Sequence, residues 1–316
     1  MPGSILARIS RVGPLRRHAV KLFLRVNESG WNHLPSPLKT VHPVVKYGTF
    51  LHRLVKLQSE RRQYHGTFFL RNRPELQLIR ALAEKRPHGS TLRIAVLACS
   101  NGAEVYSILW TIRSARPDLK VVVHASDISN EIVEIAQKGI YSLQDEALVG
   151  SPIFERLTDE EIRTMFDQDD GQRKIQPWIK EGIKWQVADA GDQQLASLLG
   201  SHDLVVANKF LCHMNPPDAE RCLRNIARLV DPGGYLFVSG IDLDVRTKVA
   251  LELGWSPVPD SLEETHNGDP SVRRDWPWRY WGLEPFDRKK SDWTVRYASV
   301  FRLGHPRNHD GNGLES

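Results

Sequence analysis

The chain has 316 residues, 41% hydrophobic and 26% charged, a mixture that argues against a fibrous or disordered protein and supplies one large core or two modest ones. No apolar run approaches the ~20 residues of a membrane-spanning helix. Cys99, Cys212 and Cys222 form no CxxC pair, which speaks against a disulfide scaffold and a cysteine-held zinc and makes the reducing cytoplasm the expected compartment. The net charge of +5 is uneven, because residues 1–66 hold 12 Lys+Arg against 2 Asp+Glu and the remainder holds 31 against 36.

Residues 1–26 alternate arginine with apolar residues at helical spacing (Ile5, Ile9, Val12, Leu15, Val20, Leu22, Leu24), with no acid before Glu28. The pattern predicts a basic amphipathic helix opening a helical arm over residues 1–66, whose apolar stretches are too short for a secretory signal. An arm this basic expects an acidic partner, or else is a helical cap with a solvated cationic side. Pro35, Pro37 and Pro43 punctuate a loop, and a helical pattern resumes over residues 44–63 with Leu51, Leu54, Val55 and Leu57.

From Leu92 onward strand and helix signals alternate, which predicts a mostly parallel sheet covered on both faces over residues 67–304. Residues 92–99 read as a buried strand, followed by the turn Ser100-Asn101-Gly102 and a helix with Val105, Ile108, Leu109 and Ile112 on its apolar stripe. Residues 121–125 form the second strand, ending at Ser126-Asp127. Ser129 or Asn130 caps the next helix and Gly139 closes it. Thr158 to Glu160 start a further helix, and residues 173–187 have β character around the turn signal Glu181-Gly182. Residues 203–207 and 235–239 are strands around a helix over 216–230, with Asp231-Pro232-Gly233-Gly234 as its stop and tight turn. Residues 245–253 read as a helix, 295–303 as a final strand and 305–316 as a disordered tail.

In an open α/β sheet a ligand lies across the carboxyl ends of the strands. Three such ends stand out: the Gly102 turn, Asp127 about 25 residues later at the position of a ribose-binding acid, and Ala207-Asn208 after the fourth strand. Only one glycine follows the first strand, and Glu104 occupies the first helical turn, where a pyrophosphate would be repelled. A nucleoside cofactor carrying an ammonium and a sulfonium, such as S-adenosylmethionine, would be attracted instead. The competing structural reading is that Glu104 complements a helix N-terminus and Asp127 caps its neighbour.

The run Ala98-Cys99-Ser100-Asn101-Gly102-Ala103-Glu104-Val105-Tyr106-Ser107 resembles the AxSxGEExYS segment of the CheR-type protein-glutamate methyltransferases of bacterial chemotaxis. Ala125-Ser126-Asp127-Ile128, the stretch from Asp203 to Asn208, and Leu229 to Phe237 resemble further segments of that family in the same order, over roughly residues 67–303. The resemblance implies a class I methyltransferase fold (Rossmann-like): a mostly parallel seven-stranded sheet, a small β insertion at 173–187, and a helical N-terminal region thought to face acidic receptor helices. It implies S-adenosylmethionine as cofactor, with Thr67, Gly102, Glu104, Asp127, Ile128, Asp189, Ala190 and Asn208 around it. Arg71, Cys212 and His213 would stand on the acceptor side.

Two positions depart from the family pattern. Thr67-Phe68-Phe69-Leu70-Arg71 carries one residue more than the family's TxFFR, offsetting Arg71 along the chain, and Cys212 replaces the family's tyrosine after the fourth strand. His213 beside it would orient the acceptor or handle its proton. The stretch Arg273-Arg274-Asp275-Trp276-Pro277-Trp278-Arg279-Tyr280-Trp281 has no counterpart there and reads as an acceptor lid or as an extension packed on the sheet edge. Nucleic-acid binding is disfavoured by Asp275, Glu284 and Asp287 nearby. The expected reaction is methyl transfer to a protein glutamate. A different acceptor, or a cofactor-binding module without turnover, is the alternative, and oligomeric state is not encoded in any motif.

Overall fold

Ile94, Ala95, Val96 and Leu97 are all buried, because an unbroken apolar run belongs in a strand covered on both faces, and Leu92 is buried beyond the exposed Arg93. They form β1 (Thr91–Leu97), whose parallel neighbours are β2 (Lys120–Asp127) and β9 (His202–Asn208). The computed structural model describes residues 14–59, 65–148, 151–169, 171–269, 276–280 and 282–304. By the pattern of its contacts the chain divides into two units.

The larger unit comprises the described residues of Gln63–Asp269 and Phe286–Ser316. Its sheet continues outward from β2 to β8 (Ile183–Val187), and from β9 to β10 (Val230–Ser239), both in parallel. Beyond β10, β12 (Val300–Arg302) runs antiparallel and pairs with β11 (Ser256–Pro257), giving seven strands in the order β11-β12-β10-β9-β1-β2-β8. The chain therefore winds outward in one direction through β2 and β8, then returns beside β1 and winds the other way. A crevice opens at the carboxyl ends where the direction reverses, between β1 and β9.

Strand alternation separates two cores. Ile94, Val96, Val123, Ala125, Leu204, Val206 and Phe237 face α4 (Arg73–Glu84) and α5 (Ala103–Ala115). Ala95, Leu97, Val205, Ala207, Leu236 and Val238 face α10 (Pro216–Ala227) and α11 (Leu243–Glu252). Helix starts follow their caps: Ser129 accepts from the Ile132 amide at the head of α6 (Asn130–Lys138), and Thr158 with Glu161 closes a capping box on α7 (Asp159–Met165).

Three expectations change. The small antiparallel sheet is built from β3 (Ile140–Ser142), β7 (Gln172–Ile175) and β6 (Phe166–Asp169). Residues 173–187 are split between it, the short α8 (Pro177–Lys180) and β8 of the main sheet, since β8 is half covered and alternates like an edge strand. Residues 231–234 lie within β10 as a register shift rather than a free turn. Of residues 295–303, expected as one strand, 295–297 complete α13 (Trp293–Tyr297) and only Val300–Arg302 form β12, because Phe286 meets Trp293 edge-on and Tyr297 at a tilt in one aromatic cluster.

The smaller unit comprises the described residues of Met1–Arg62 and Pro270–Pro285. It holds α1 (Pro14–His33), α2 (Ser36–Lys39) and α3 (His42–Gln58). The Trp-rich segment belongs here: Trp276 and Trp278 meet the Trp31 ring edge-on at 5.6 and 6.3 Å, and His52 Nδ1 hydrogen-bonds the Pro277 carbonyl at 2.9 Å. Burial of indole area against α1 and α3 explains these aromatics. Residues 1–13, the proposed tail 305–316 and Arg273, Arg274, Asp275 and Trp281 lie outside the described residues. No helix among the described residues is long and apolar enough to cross a membrane.

Candidate functional site

The backbone at the carboxyl end of β1 is strained. Ala98 and Ser100 have φ of 52° and 51°, Gly102 has 88°, and at the end of β9 Lys209 has 63°. Left-handed non-glycine residues cost on the order of 1 kcal/mol each and persist only where the surroundings over-determine them. Asp127 supplies that determination, its Oδ2 accepting from the Ser100 amide at 2.9 Å and its Oδ1 from the Ser129 amide at 3.2 Å. The Ser100 hydroxyl donates to the His65 carbonyl (2.6 Å), and Tyr141 of the small sheet donates to the Asn101 carbonyl (2.7 Å). Gly102 is required by its φ and by packing, since a Cβ there would meet Ala136, Tyr106 and Trp185 at 3.1 to 3.2 Å.

Across the crevice, the Asn208 amide stands between two carboxyls. Its Nδ2 donates to Glu75 Oε1 (2.6 Å) and Glu104 Oε1 (2.8 Å), while its Oδ1 accepts from the Ser239 hydroxyl (2.7 Å). Burial, then the nearby Glu104 charge, pushes the Glu75 carboxyl up to about 7. Burial also raises Glu104, against the lowering effect of Asn208, Arg71 and Lys209. Glu104 and Asp127 face one neighbourhood: after burial, the charges of both push the Cys99 thiol upward.

Three cations gather on one carboxylate beside this group. Asp269, 3% exposed, pairs with Arg71 Nε (2.6 Å), Arg156 Nη1 (3.0 Å) and Lys209 Nζ (4.0 Å). Burial lowers the pKa of Lys209 and Arg156, with Asp269 opposing it in both. Arg156 also lies over the Phe68 ring at 4.1 Å. The extra residue before Arg71 is absorbed locally: Leu70 turns to a φ of 51° and donates its amide to Ser107 Oγ at 2.9 Å, and Arg71 still faces Glu75 and Glu104.

The structure therefore brings together Arg71, Glu104 and Asn208 on one side of the crevice and Asp127 on the other. Ala188 donates to the Asp127 carbonyl (3.0 Å), which sets Asp189 and Ala190 beside that strand end, and Ile128 follows Asp127 half exposed. Thr67 is buried two residues after His65. Cys212 and His213 lie on a single 3-10 turn (Leu211–His213), pinned by the Cys212 amide on the Gly240 carbonyl at 2.7 Å. Glu75, Arg156, Lys209 and Asp269 were not among the expected residues. For Glu75 a signal existed, an acid three residues after the capping Asn72 and flanked by Leu76 and Leu78; the others depend on long-range contacts. A cleft of about 380 Å³ beside Arg113, Lys120 and Trp178 lies at the opposite, amino end of β2. Among the described residues no group of three His, Cys, Asp or Glu is placed to hold a metal ion.

Residues 65–243 match the model of the CheR methyltransferase, SAM binding domain. A chemotaxis protein methyltransferase of Vibrio parahaemolyticus is 30% identical over 162 residues, covering 49% of this chain and 54% of that protein. A chemotaxis protein methyltransferase of Vibrio cholerae is similar at 30% over the same shares. A probable biofilm formation methyltransferase of Pseudomonas putida is 27% identical over 190 residues, 58% of this chain and 43% of that protein. The chain thus spans about half the length of these curated relatives.

Proposed function

Because this chain belongs to the CheR methyltransferase family, we propose that it moves a methyl group from S-adenosylmethionine to the carboxylate of a glutamate side chain on an acceptor protein. The donor set fits the cofactor. Each Asp127 oxygen keeps a lone pair after accepting one backbone amide, so the carboxylate remains able to take ribose hydroxyls. Glu104, opposite, offers negative charge to the amino-acid end, and Asp189 and Ala190 flank the base. When bound, S-adenosylmethionine supplies an electrophilic methyl group on a sulfonium.

The acceptor class rests on one observation: Arg71, Arg156 and Lys209 gather around Asp269, and with Glu104 as the other ionised acid facing Arg71 and Lys209 and Glu75 protonated, one positive charge is left over. Arg71 and Lys209 would receive an acceptor carboxylate and hold its oxygen in line. A glutamate, with an unperturbed pKa of about 4.3, is already ionised at neutral pH and needs no base, so positioning carries most of the rate gain. Cys212 and His213, on the turn after β9, would border the acceptor.

Two coarser readings accompany this one. The cytoplasm is supported by the three cysteines being free thiols, and an acidic protein partner for the basic N-terminal region is supported by its charge. Incubating the protein and labelled cofactor with a lysate, then applying mild base, tests the reaction. Released methanol is the expected result. Base-stable label would move the acceptor to an amine or hydroxyl, and binding without any transfer would leave a cofactor-binding module.

A further inference from the structure

Glu75 has no part in the contacts assigned above, yet it is a carboxyl only 4% exposed, on the first turn of α4, sharing one amide with Glu104. The NH2 of Asn208 has two hydrogens, and both are used on these two acids. Two carboxyls tied to one neutral donor do not ionise together easily. The charges facing Glu75 are Glu104 from α5, Lys209 after β9 and Arg71 ahead of α4, the last two drawn off by Asp269. From α12 (Leu262–His266) the approach is the Thr265 carbonyl to Asn72 Nδ2 at 2.9 Å, the His266 ring packing instead on Phe286 and Tyr297.

We propose that Glu75 is a proton-linked positioning residue of the cofactor site: protonated in the free protein, it ionises when the ammonium of the cofactor's amino-acid end settles beside Glu104, so that cofactor binding expels a proton to solvent. The inference rests on the S-adenosylmethionine reading of this crevice. Asn208 donates to Glu75 Oε1 at 2.6 Å and Asn72 Nδ2 to Oε2 only at 3.5 Å, so Oε2 is the less engaged oxygen and carries the proton, whose loss leaves two carboxylates gripping the Asn208 amide from either side. Neutral Glu75 raises no competing charge while the site is free. Ionised Glu75 adds a second negative charge behind Glu104 only once a cation is present to compensate it.

Titration calorimetry on the full chain at pH 7, in phosphate and in Tris, reads the proton directly. With S-adenosylmethionine the binding enthalpy should change with the buffer's ionisation enthalpy, corresponding to release of about half a proton, and affinity should rise about tenfold from pH 6 to pH 8. S-adenosylhomocysteine, which keeps the ammonium, should show the same buffer dependence, and in Glu75→Gln the dependence should vanish while binding persists. A buffer-independent enthalpy with intact wild-type binding would overturn the role of Glu75 alone, whether or not the variant folds. No binding of either compound at any pH would overturn the cofactor reading itself, and this inference with it.

Discussion

Arg71 and Asp269 stand 198 positions apart in the chain and meet at 2.6 Å, both side chains almost closed to solvent. Asp269 also anchors Arg156 and Lys209, so removing its charge strands three cations at once. Breaking one partner from a buried ion network leaves charge uncompensated, at a cost of about 3 to 5 kcal/mol. Asp269→Asn should accordingly lower unfolding stability by that order in urea. A change under 1 kcal/mol would mean that the cations rearrange onto other acceptors.

Asp127 holds the strained turn and, in the proposed function, would offer its remaining lone pairs to a ribose. Asp127→Ala removes the acceptor of two backbone amides, each worth about 1 to 3 kcal/mol when left unsatisfied. The variant should melt at lower temperature and bind S-adenosylhomocysteine at least tenfold more weakly than wild type. Undiminished affinity would remove Asp127 from the cofactor site.

The raised Glu75 carboxyl makes stability depend on pH with a definite sign. Its folded pKa of about 7 lies above the ordinary 4.5, so between those values the folded state carries the extra proton. Stability then falls as pH rises through the window and is lowest above it, by on the order of 3 kcal/mol for this group. Chemical denaturation of wild type and Glu75→Gln at pH 5 and pH 8 isolates the effect. The difference between the two proteins should shift in favour of the variant at the higher pH, and parallel profiles would contradict it.

In the helical unit, a Cβ on Gly48 would approach Trp276 at 2.3 Å and Trp31 at 2.7 Å. Gly48→Ala should push the indoles apart, shift tryptophan emission to longer wavelength and destabilise this unit by about 1 to 3 kcal/mol, a typical overpacking cost. Unchanged emission would show that the Trp-rich segment packs elsewhere.

The local signals that proved sufficient were those written in neighbouring residues. The apolar run of β1, the Ser129 and Thr158 caps and the Gly139 stop need only a few positions to act, so they are legible without the fold. Glu104, Asp127 and Asn208 were also readable, because strand ends in such a sheet converge by topology. Residues 295–303 show the limit: their alternation suited one strand, but contacts of the Phe286 ring with Trp293 and Tyr297 accompany a helix that takes residues 295–297.

What the chain order dictated, then, was a parallel sheet with acids at its carboxyl ends. Tertiary structure alone decided which charges meet there. Asp269 finds Arg71, Arg156 and Lys209, and Asn208 finds Glu75 and Glu104, across separations no periodicity encodes. The reason is energetic: a buried charge has to find partners wherever the fold places them, and that placement is fixed only when the two faces of the sheet have packed.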